Sequence, residues 1–214
     1  GACVQPCRRG YTVQDRDKEI TLAIENEYIM SPKDLCTLPF LDKVLDAGVK
    51  ILKIEGRGRS PEYTKVTVGV YSEAVKAIQN GEFTEEKIAQ WTERLRSVYN
   101  RDFWDGYYLG RKMGEWTQRY GSQATKTKIF VGTVTNFFAK INVAEIRMET
   151  QDLKVGDDIM IIGPTTGVYE DKVSEIRVDL KPVESTEKGE LCSIPVKDGI
   201  RRGDKVYKVI DAES

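Results

Sequence analysis

The sequence predicts an α/β part followed by an all-β part. In the first half, short apolar runs alternate with segments whose apolar residues recur every three or four positions, a rhythm typical of parallel sheets with helical connections. From about Lys126 onward the segments are short and β-type, separated by Gly and Asp turns. A polar stretch over residues 114–125 separates the two patterns. We therefore predict domains at 1–113 and 126–214.

The first strand and the start of the first helix are predicted within residues 22–36. A short apolar run there ends in Ser-Pro-Lys-Asp, which predicts Ser31 as a helix cap and Pro32 as the first helical residue. Gly48 is expected to end this helix, and the apolar residues Val49–Ile54 are predicted to form a second strand.

Two further helices follow. Ser60-Pro61-Glu62 repeats the cap signature, Asn80-Gly81 marks the end of that helix, and Thr84 is predicted to cap the next. Their inner faces are predicted from helical spacing: Val66, Val70, Ala74 and Ile78 in one, and Ile88, Trp91, Leu95 and Val98 in the other.

Two parallel strands cannot close a barrel, and their open edges favour further pairing. We therefore expect the first part to complete a larger unit, by pairing with a preceding part of the same protein or with a second copy of itself.

The second part is predicted to be an all-β barrel or sandwich and contains a faint internal repeat. Residues 153–159 match residues 200–206, each with a Gly-Asp pair before a β-type segment. A glycine can adopt positive φ, and an aspartate can hydrogen-bond the backbone of a turn. Both segments are therefore interpreted as turns that lead into a strand; the alternative is a ligand-binding loop.

Composition excludes several classes of function. Lys and Arg total 33 and Asp and Glu total 34, so no overall field steers the chain to nucleic acid or to a membrane. No apolar run reaches the roughly 18 residues of a membrane span. Four cysteines do not suggest a secreted disulfide scaffold, which favours the cytoplasm. The absence of histidine excludes Ser-His-Asp and Cys-His catalysis and His-ligated metals within this sequence.

The segment Glu55-Gly-Arg57-Gly-Arg59-Ser60 has the composition of an anion site. It follows a predicted parallel strand, and ligands bind beyond the carboxyl ends of such strands. Arg57 and Arg59 offer forked donors to a carboxylate or phosphate, and Ser60 begins a helix N-terminus that itself favours anions. Tyr63 is predicted as a further contact. The alternative is a Glu–Arg salt bridge that only fixes the loop.

The cysteines suggest a second kind of site. Cys3, Cys7 and Cys36, without histidine, suit a thiolate-held iron–sulfur centre; the alternative is buried free thiols. Cys192 is predicted to lie in the β core. The aromatic residues of segment 99–110 either stack on bases or, as we favour, seal a domain against its neighbour.

Four stretches resemble one family, the collagenase-like peptidases of family U32: GACVQPCRRGY, YIMSPKDLC, LKIEGRGRSPEYTKVTVGVY and YNRDFWDGYYLG. Residues 126–214 resemble that family's C-terminal β-barrel domain, which is similar to the second domain of translation elongation factors. The resemblance implies that residues 1–113 are the C-terminal portion of a TIM-like (β/α) barrel. The sequence departs from the family at Asp102, usually Gly, and at Ser72, often Arg.

The resemblance also implies a cofactor. Related members hold a four-iron, four-sulfur cluster through four cysteines. Cys3 matches the third of these and Cys36 the fourth, while Cys7 belongs to the pattern as a further candidate ligand.

The resemblance implies three alternative functions. The first is hydroxylation of the tRNA wobble uridine with prephenate as a co-substrate. Arg57 and Arg59 would then hold the dicarboxylate or an RNA phosphate. Glu55 and Arg57 would be the catalytic pair, in which Glu55 would orient an arginine or accept a proton. The second is a collagenase-like peptidase, and the third a non-catalytic RNA-docking or structural module. We expect the full-length protein to be an enzyme and this stretch alone to be inactive.

Overall fold

A computed structural model of the chain describes residues 12–17, 21–22, 32–110, 121–197 and 199–212. Cys3, Cys7 and Ser31 lie outside these ranges. The chain divides into two compact units. The first comprises Gly1–Gly58 and Val66–Ala124, and the second comprises Arg59–Lys65 and Thr125–Ser214. Across the described ranges, no helix has both the length and the apolar character to cross a membrane.

The first unit is a mixture of short strands and helices. The strands are β1 (Val13–Gln14), β2 (Thr21–Leu22), β3 (Asp34–Leu35) and β4 (Phe103–Trp104). The helices are α1 (Leu41–Asp46), α2 (Pro61–Gln79), whose first turn groups with the second unit, and α3 (Glu85–Arg96). β1 pairs with β2 antiparallel, whereas β3 pairs with β4 parallel.

The helix predicted to begin at Pro32 begins later, so that prediction was wrong. The chain stays extended through β3, and a 3₁₀ turn over Leu38–Phe40 leads into α1. The reason is tertiary: the N–H of Asp34 donates to the carbonyl of Asp102, and the N–H of Cys36 donates to that of Trp104, both at 2.9 Å. These bonds to β4 override the local helix signal.

The strand predicted at Val49–Ile54 is also absent, and this prediction was wrong. The backbone from 49 to 60 is irregular, and the Ile51 side chain is 85% exposed. Leu52 packs against the core of the first unit, but no strand of the described chain pairs with this segment. Without a neighbour the apolar run cannot form a ladder. The TIM-like barrel thus stays a prediction, because β3 and β4 are the one parallel pair in the described residues.

The two longer helices follow their predicted signals. α2 begins at Pro61, and the chain leaves it through Gly81 at φ 72°. The Thr84 side chain accepts a hydrogen bond from the Lys87 N–H at 3.3 Å, which caps α3 as predicted. The predicted inner faces pack together as a buried core that includes Val70, Ala74, Ala77, Trp91 and Leu95.

The second unit contains an eight-stranded antiparallel sheet. Its strands are β5 (Lys126–Phe138), β6 (Val143–Met148), β7 (Asp158–Gly163), β8 (Gly167–Lys172), β9 (Ile176–Val178), β10 (Lys181–Val183), β11 (Leu191–Pro195) and β12 (Lys205–Asp211). Their order is β10-β9-β11-β6-β5-β12-β7-β8. One core of buried apolar side chains draws on most of these strands, and Cys192 belongs to it, as predicted.

The internal repeat forms two matching turns. The Asp157 carboxylate accepts a hydrogen bond from the Lys154 N–H, and the Asp204 carboxylate accepts one from the Arg201 N–H, both at 2.8 Å. A glycine precedes each aspartate, with φ of 91° and 92°. The turns lead into β7 and β12, which pair with each other. The interpretation as strand-entry turns is therefore confirmed.

Asp102, at a position where the family that the sequence resembles usually has glycine, lies in the left-handed region at φ 65°. Its carbonyl accepts the Asp34 N–H that begins the β3–β4 pairing, and its carboxylate lies 3.2 Å from Lys33 Nζ. Glycine adopts this backbone conformation without steric cost, whereas aspartate is among the few other residues that tolerate it.

Substitutions at Asp102 should separate backbone conformation from charge. We expect D102G to change the free energy of unfolding by less than about 1 kcal/mol, because relief at positive φ offsets the loss of a partly exposed ion pair. D102A keeps the unfavourable φ and loses the ion pair, so it should cost about 1–2 kcal/mol. Urea denaturation measures both.

D102N serves as the matched control, because asparagine tolerates positive φ but carries no charge. Its free energy of unfolding should fall between those of the other two variants. Equal losses of unfolding free energy in D102G and D102A would show that the backbone conformation at this position contributes nothing to stability.

Candidate functional site

The carboxyl ends of β3 and β4 meet at one edge of the first unit, because the strands are parallel. Cys36 directly follows β3, and its hydrogen bond to Trp104 fixes it beside the last residue of β4. Such an edge is where α/β folds bind ligands. Cys36, one of the predicted metal ligands, lies at this edge.

The Cys36 sulfur lies in a polar niche within an apolar core. Cys36 is a free cysteine, 7% exposed, and packs with Leu38, Leu41 and Val70. The Tyr71 hydroxyl donates a hydrogen bond to Sγ at 3.8 Å. Burial raises the pKa of the Cys36 thiol, while hydrogen bonds from the Leu38 N–H and the Tyr71 hydroxyl act in the opposite direction.

Tyr71 is held in place by the residue next to the cysteine. The N–H of Thr37 donates to the Tyr71 hydroxyl oxygen at 3.1 Å, and Thr37 Oγ1 lies 3.3 Å from the same oxygen. Burial, followed by the nearby Cys36, raises the pKa of Tyr71 well above its ordinary value. The phenol therefore keeps its proton at physiological pH and stays a donor.

Sequence reasoning missed Tyr71 and Thr37 as parts of this site. Tyr71 follows Val70 on α2, so helical spacing places it at the margin of the buried face. That position in the helix was the signal from which its partial burial could have been predicted. Cys36 lies 35 residues earlier in the chain, and no local pattern relates the two.

Glu55 and Arg57, the predicted catalytic pair, lie in the irregular segment of the first unit, and both are exposed. A Glu55 carboxylate oxygen accepts a hydrogen bond from the backbone N–H of Arg57 at 3.0 Å. This bond closes a small turn and leaves the Arg57 guanidinium outside it. Among the described residues Glu55 makes no ion pair, so the alternative in which it forms a salt bridge with an arginine is not seen.

Arg59, Ser60 and Tyr63, the other predicted anion contacts, belong to the second unit. The Arg59 guanidinium carbon lies over the Tyr63 ring, 5.2 Å from its centroid. Ser60 directly precedes α2, as the cap signature predicts. The ring supports the arginine and limits its rotamers.

A second electrostatic feature, also missed from sequence, joins Glu62 in the first turn of α2 to Lys128 of β5. Lys128 Nζ lies 2.6 Å from Glu62 Oε1 and 5.1 Å from the centroid of the Tyr207 ring. The other carboxylate oxygen of Glu62 is buried and has no hydrogen-bond partner in the described chain. Burial opposes ionisation, but the hydrogen bond and charge of Lys128 prevail and lower the pKa of Glu62.

The remaining predictions concern the cysteines and the aromatic segment. Cys3 and Cys7 fall outside the described residues, and within those that are described no three His, Cys, Asp or Glu side chains form a metal-binding group. Trp104 and Tyr107 make an edge-on ring contact at 5.3 Å, and Phe40 and Tyr108 a tilted contact at 5.9 Å. Tyr107 and Tyr108 remain 65% and 64% exposed.

Comparison with known proteins places these features in a family context. The profile of Peptidase family U32 matches residues 1–118. A collagenase of Porphyromonas gingivalis is 54% identical over 208 residues, which are 97% of this chain and 50% of the relative. An uncharacterized protease of Methanocaldococcus jannaschii is 35% identical over 212 residues, 97% of this chain and 51% of the relative. The chain thus spans about half the length of these relatives.

A second group of relatives is named for RNA modification. The tRNA hydroxylation protein P1 of Bacillus subtilis is 32% identical over 171 residues, 77% of this chain and 40% of the relative. Among solved structures, the C-terminal domain of a U32 peptidase from Geobacillus thermoleovorans matches with a TM-score of 0.35 and 15% identity, over 37% of this chain and 90% of that one.

The Glu62–Lys128 pair should make stability depend on pH. The folded pKa of Glu62 lies below its ordinary value of 4.5, so its stabilising contribution is complete above that value and is lost as pH falls through the folded pKa. We expect E62Q to cost about 1 kcal/mol near neutral pH, and the difference from wild type to shrink as the pH is lowered below the ordinary pKa of a glutamate. Urea denaturation at a series of pH values measures it.

The matched control is E170Q. The Glu170 ion pair with Lys65 is nearly half exposed on both sides, so E170Q should cost less than about 0.5 kcal/mol. A loss in E62Q that does not change between neutral and acidic pH would contradict the role assigned to the carboxylate charge.

Proposed function

The chain belongs to peptidase family U32, and from that membership we propose that it is the C-terminal part of a cytoplasmic enzyme that hydroxylates the wobble uridine of tRNA. In this proposal prephenate is the small dicarboxylate co-substrate, and a four-iron, four-sulfur cluster is the cofactor. The preceding part of the same protein, or a second copy, completes the barrel and the site, so the chain alone is inactive.

The observation that carries this proposal is the environment of the Cys36 sulfur. A thiolate ligand is an acceptor, and its hydrogen bonds are part of a cluster site. Cys36 offers a free sulfur at a strand end with donors from Leu38 and Tyr71. Cys36 is proposed as one ligand of the cluster. Cys3 is proposed as a second ligand and Cys7 as a further candidate. Relatives named as tRNA hydroxylation proteins in Bacillus subtilis, Haemophilus influenzae and Escherichia coli add support.

The residues divide the chemistry among them. When bound, the cluster supplies one-electron redox chemistry that side chains lack. Cys36 holds it, while Arg57 and Arg59 bind the carboxylates of the co-substrate or a phosphate of the RNA. Glu55, which already holds the backbone of Arg57, orients that arginine or accepts a proton.

The second candidate function is that of a peptidase, and the identity to the Porphyromonas gingivalis collagenase favours it. This chain contains no histidine, so a peptidase would need an upstream catalytic group, an acid pair or a metal held elsewhere. A third alternative, an RNA-docking module without chemistry of its own, would bind tRNA but hold no cluster.

Iron content tests the proposal in the full-length protein purified without oxygen. We expect about four irons and four sulfides per chain, a C36S variant that loses most of them, and wobble uridines that gain an oxygen only with the wild-type protein. C192S is the matched control, because Cys192 is also a buried free cysteine but lies in the β core of the second unit. It should retain full iron.

Iron-free wild-type protein, or equal iron loss in both cysteine variants, would contradict the cluster assignment. Cleavage of gelatin that persists in C36S would favour the peptidase, and tRNA binding without cluster or cleavage would favour the docking module.

The arginines should act on co-substrate binding. We expect R57A and R59A in the full-length protein to raise KM for the dicarboxylate by about ten- to a hundredfold, because a forked contact is worth roughly 1.5–3 kcal/mol. Lysine at either position should restore only part of the affinity, since it lacks the planar fork. E55Q should lower kcat more than it raises KM if Glu55 is a base. Steady-state kinetics measures these changes.

R202A, which removes an exposed arginine of the second unit, serves as the control and should leave KM unchanged. Melting temperatures that fall in step with activity across the series would mean that Glu55, Arg57 and Arg59 only hold the loop in place.

A further inference from the structure

Two aromatic rings meet on the face of the second unit's sheet that points away from its core. Val131 of β5 and Val206 of β12 are fully buried in that core. Because side chains alternate between the two faces of a strand, the neighbouring residues Phe130 and Tyr207 point to the opposite face. They are Cα partners across the two strands, and their rings make an edge-on contact with centroids 5.8 Å apart. Each ring thus limits the movement of the other.

A lysine from the neighbouring strand lies over each ring. Lys128 of β5 places its Nζ 5.1 Å from the centroid of the Tyr207 ring, and Lys205 of β12 places its Nζ 5.5 Å from the centroid of the Phe130 ring. An ammonium group is attracted to the negative face of an aromatic ring. The two strands therefore form the same lysine–ring pair twice, with the strands exchanged.

The two pairs differ in their anion. The Glu62 carboxylate lies 2.6 Å from Lys128 Nζ, so the chain itself supplies an anion to the first pair. Lys205 is exposed and donates a hydrogen bond to the neutral Thr133 hydroxyl at 2.8 Å. In the described part of the chain no carboxylate forms an ion pair with Lys205. The second pair therefore has the chemistry to take an anion from outside the protein.

The turn that leads into β12 leaves positive charge at the surface. Arg201 and Lys205 are both exposed. The acid of the turn, Asp204, is 2% exposed, and its carboxylate accepts hydrogen bonds from the Arg201 N–H and the Thr166 hydroxyl. The negative charge is therefore held inside the fold, while the cations face solvent. A surface of this sign favours a partner that carries phosphate groups.

A cation beside an aromatic ring suits a nucleotide better than a simple carboxylate. A carboxylate would satisfy the ammonium group alone, whereas a nucleotide brings a phosphate for the charge and a base for the ring. Phe130 is half-buried, so part of its ring remains in contact with solvent. Base stacking on such a ring tolerates any sequence, because every base has a π-face.

We propose that Phe130 and Lys205 bind one nucleotide within a single-stranded segment of RNA. The base stacks on the Phe130 ring and displaces the ammonium group from it, since an exposed cation–π contact is weaker than base stacking. The Lys205 ammonium, on its flexible stem, moves to the phosphate. The inference rests on the RNA substrate of the proposed function, and it names the surface by which the second unit holds that RNA.

Fluorescence anisotropy of the full-length protein with a labelled single-stranded oligouridylate of about ten nucleotides tests the proposal at a series of salt concentrations. We expect F130L to weaken binding by about five- to a hundredfold, with an unchanged salt dependence, because it removes stacking but no charge. K205Q should weaken binding and reduce the slope of log affinity against log salt by about 0.7, the contribution of one phosphate contact on a single strand.

The matched controls are F138L and K140Q, which make the same changes at exposed positions at the far end of β5 and in the turn after it. Both should leave the affinity and the salt slope unchanged. A purely structural role of Phe130 and Lys205 would lower the melting temperature but would not separate affinity from salt slope in this way. If F130L does not fold, K205Q still tests the proposal, because the Lys205 side chain is exposed.

The outcomes separate this surface from the proposed reaction. Unchanged binding in F130L and K205Q, or equal losses in F138L and K140Q, would overturn the surface, as would wild-type protein that hydroxylates tRNA but does not bind the oligonucleotide. In these cases the iron content and the gain of oxygen in tRNA still decide the proposed function. Binding that F130L and K205Q weaken as expected supports the surface, even if the wobble uridine gains no oxygen and the proposed reaction fails.

Discussion

The first unit depends on the short parallel pairing between β3 and β4. Two backbone hydrogen bonds, from Asp34 to Asp102 and from Cys36 to Trp104, define it. Asp102, the acceptor in the first, has a left-handed backbone conformation, and the second holds Cys36 directly after β3. Since the chain must stay extended for this pairing, α1 begins only at Leu41, after the 3₁₀ turn over Leu38–Phe40, and Cys36 lies where the Tyr71 hydroxyl reaches its sulfur.

Features encoded by neighbouring residues were predictable from the sequence, and features that join distant segments were not. The starts of α2 at Pro61 and α3 after Thr84 depend on local capping, and the turns at Asp157 and Asp204 on local hydrogen bonds. The strand expected at Val49–Ile54 failed because strand formation needs a neighbour, which an apolar run alone does not specify. The helix expected at Pro32 failed because β4, about seventy residues later, competes for the backbone.

The residues of the candidate site also divide into those that the sequence suggested and those that only the fold brings together. The sequence suggested Cys36 and the Glu55–Ser60 segment because their residue types are informative by themselves. It did not identify the Tyr71 donor, 35 residues from Cys36, or the Lys128 partner of Glu62, 66 residues away. Both missing partners lie on regular elements, where a tyrosine beside a buried helix face or a lysine in a strand is ordinary. Only the fold gives them a partner.

The burial of these groups matches what the two proposed roles demand. A sulfur that holds a redox centre gains from exclusion of water, because each donor to it is then stronger and its charge is set by a few fixed dipoles. Arginines that capture a soluble anion must instead stay accessible and lose water only when the anion arrives, since a permanently buried charge would cost several kcal/mol. Cys36 and Tyr71 lie inside the first unit, whereas Glu55 and Arg57 lie at its surface on an irregular segment. A turn held by one backbone hydrogen bond to Glu55 restricts that segment without burying it. The turn therefore reduces the conformational entropy that binding of the proposed anion would have to overcome, and it leaves the Arg57 guanidinium accessible.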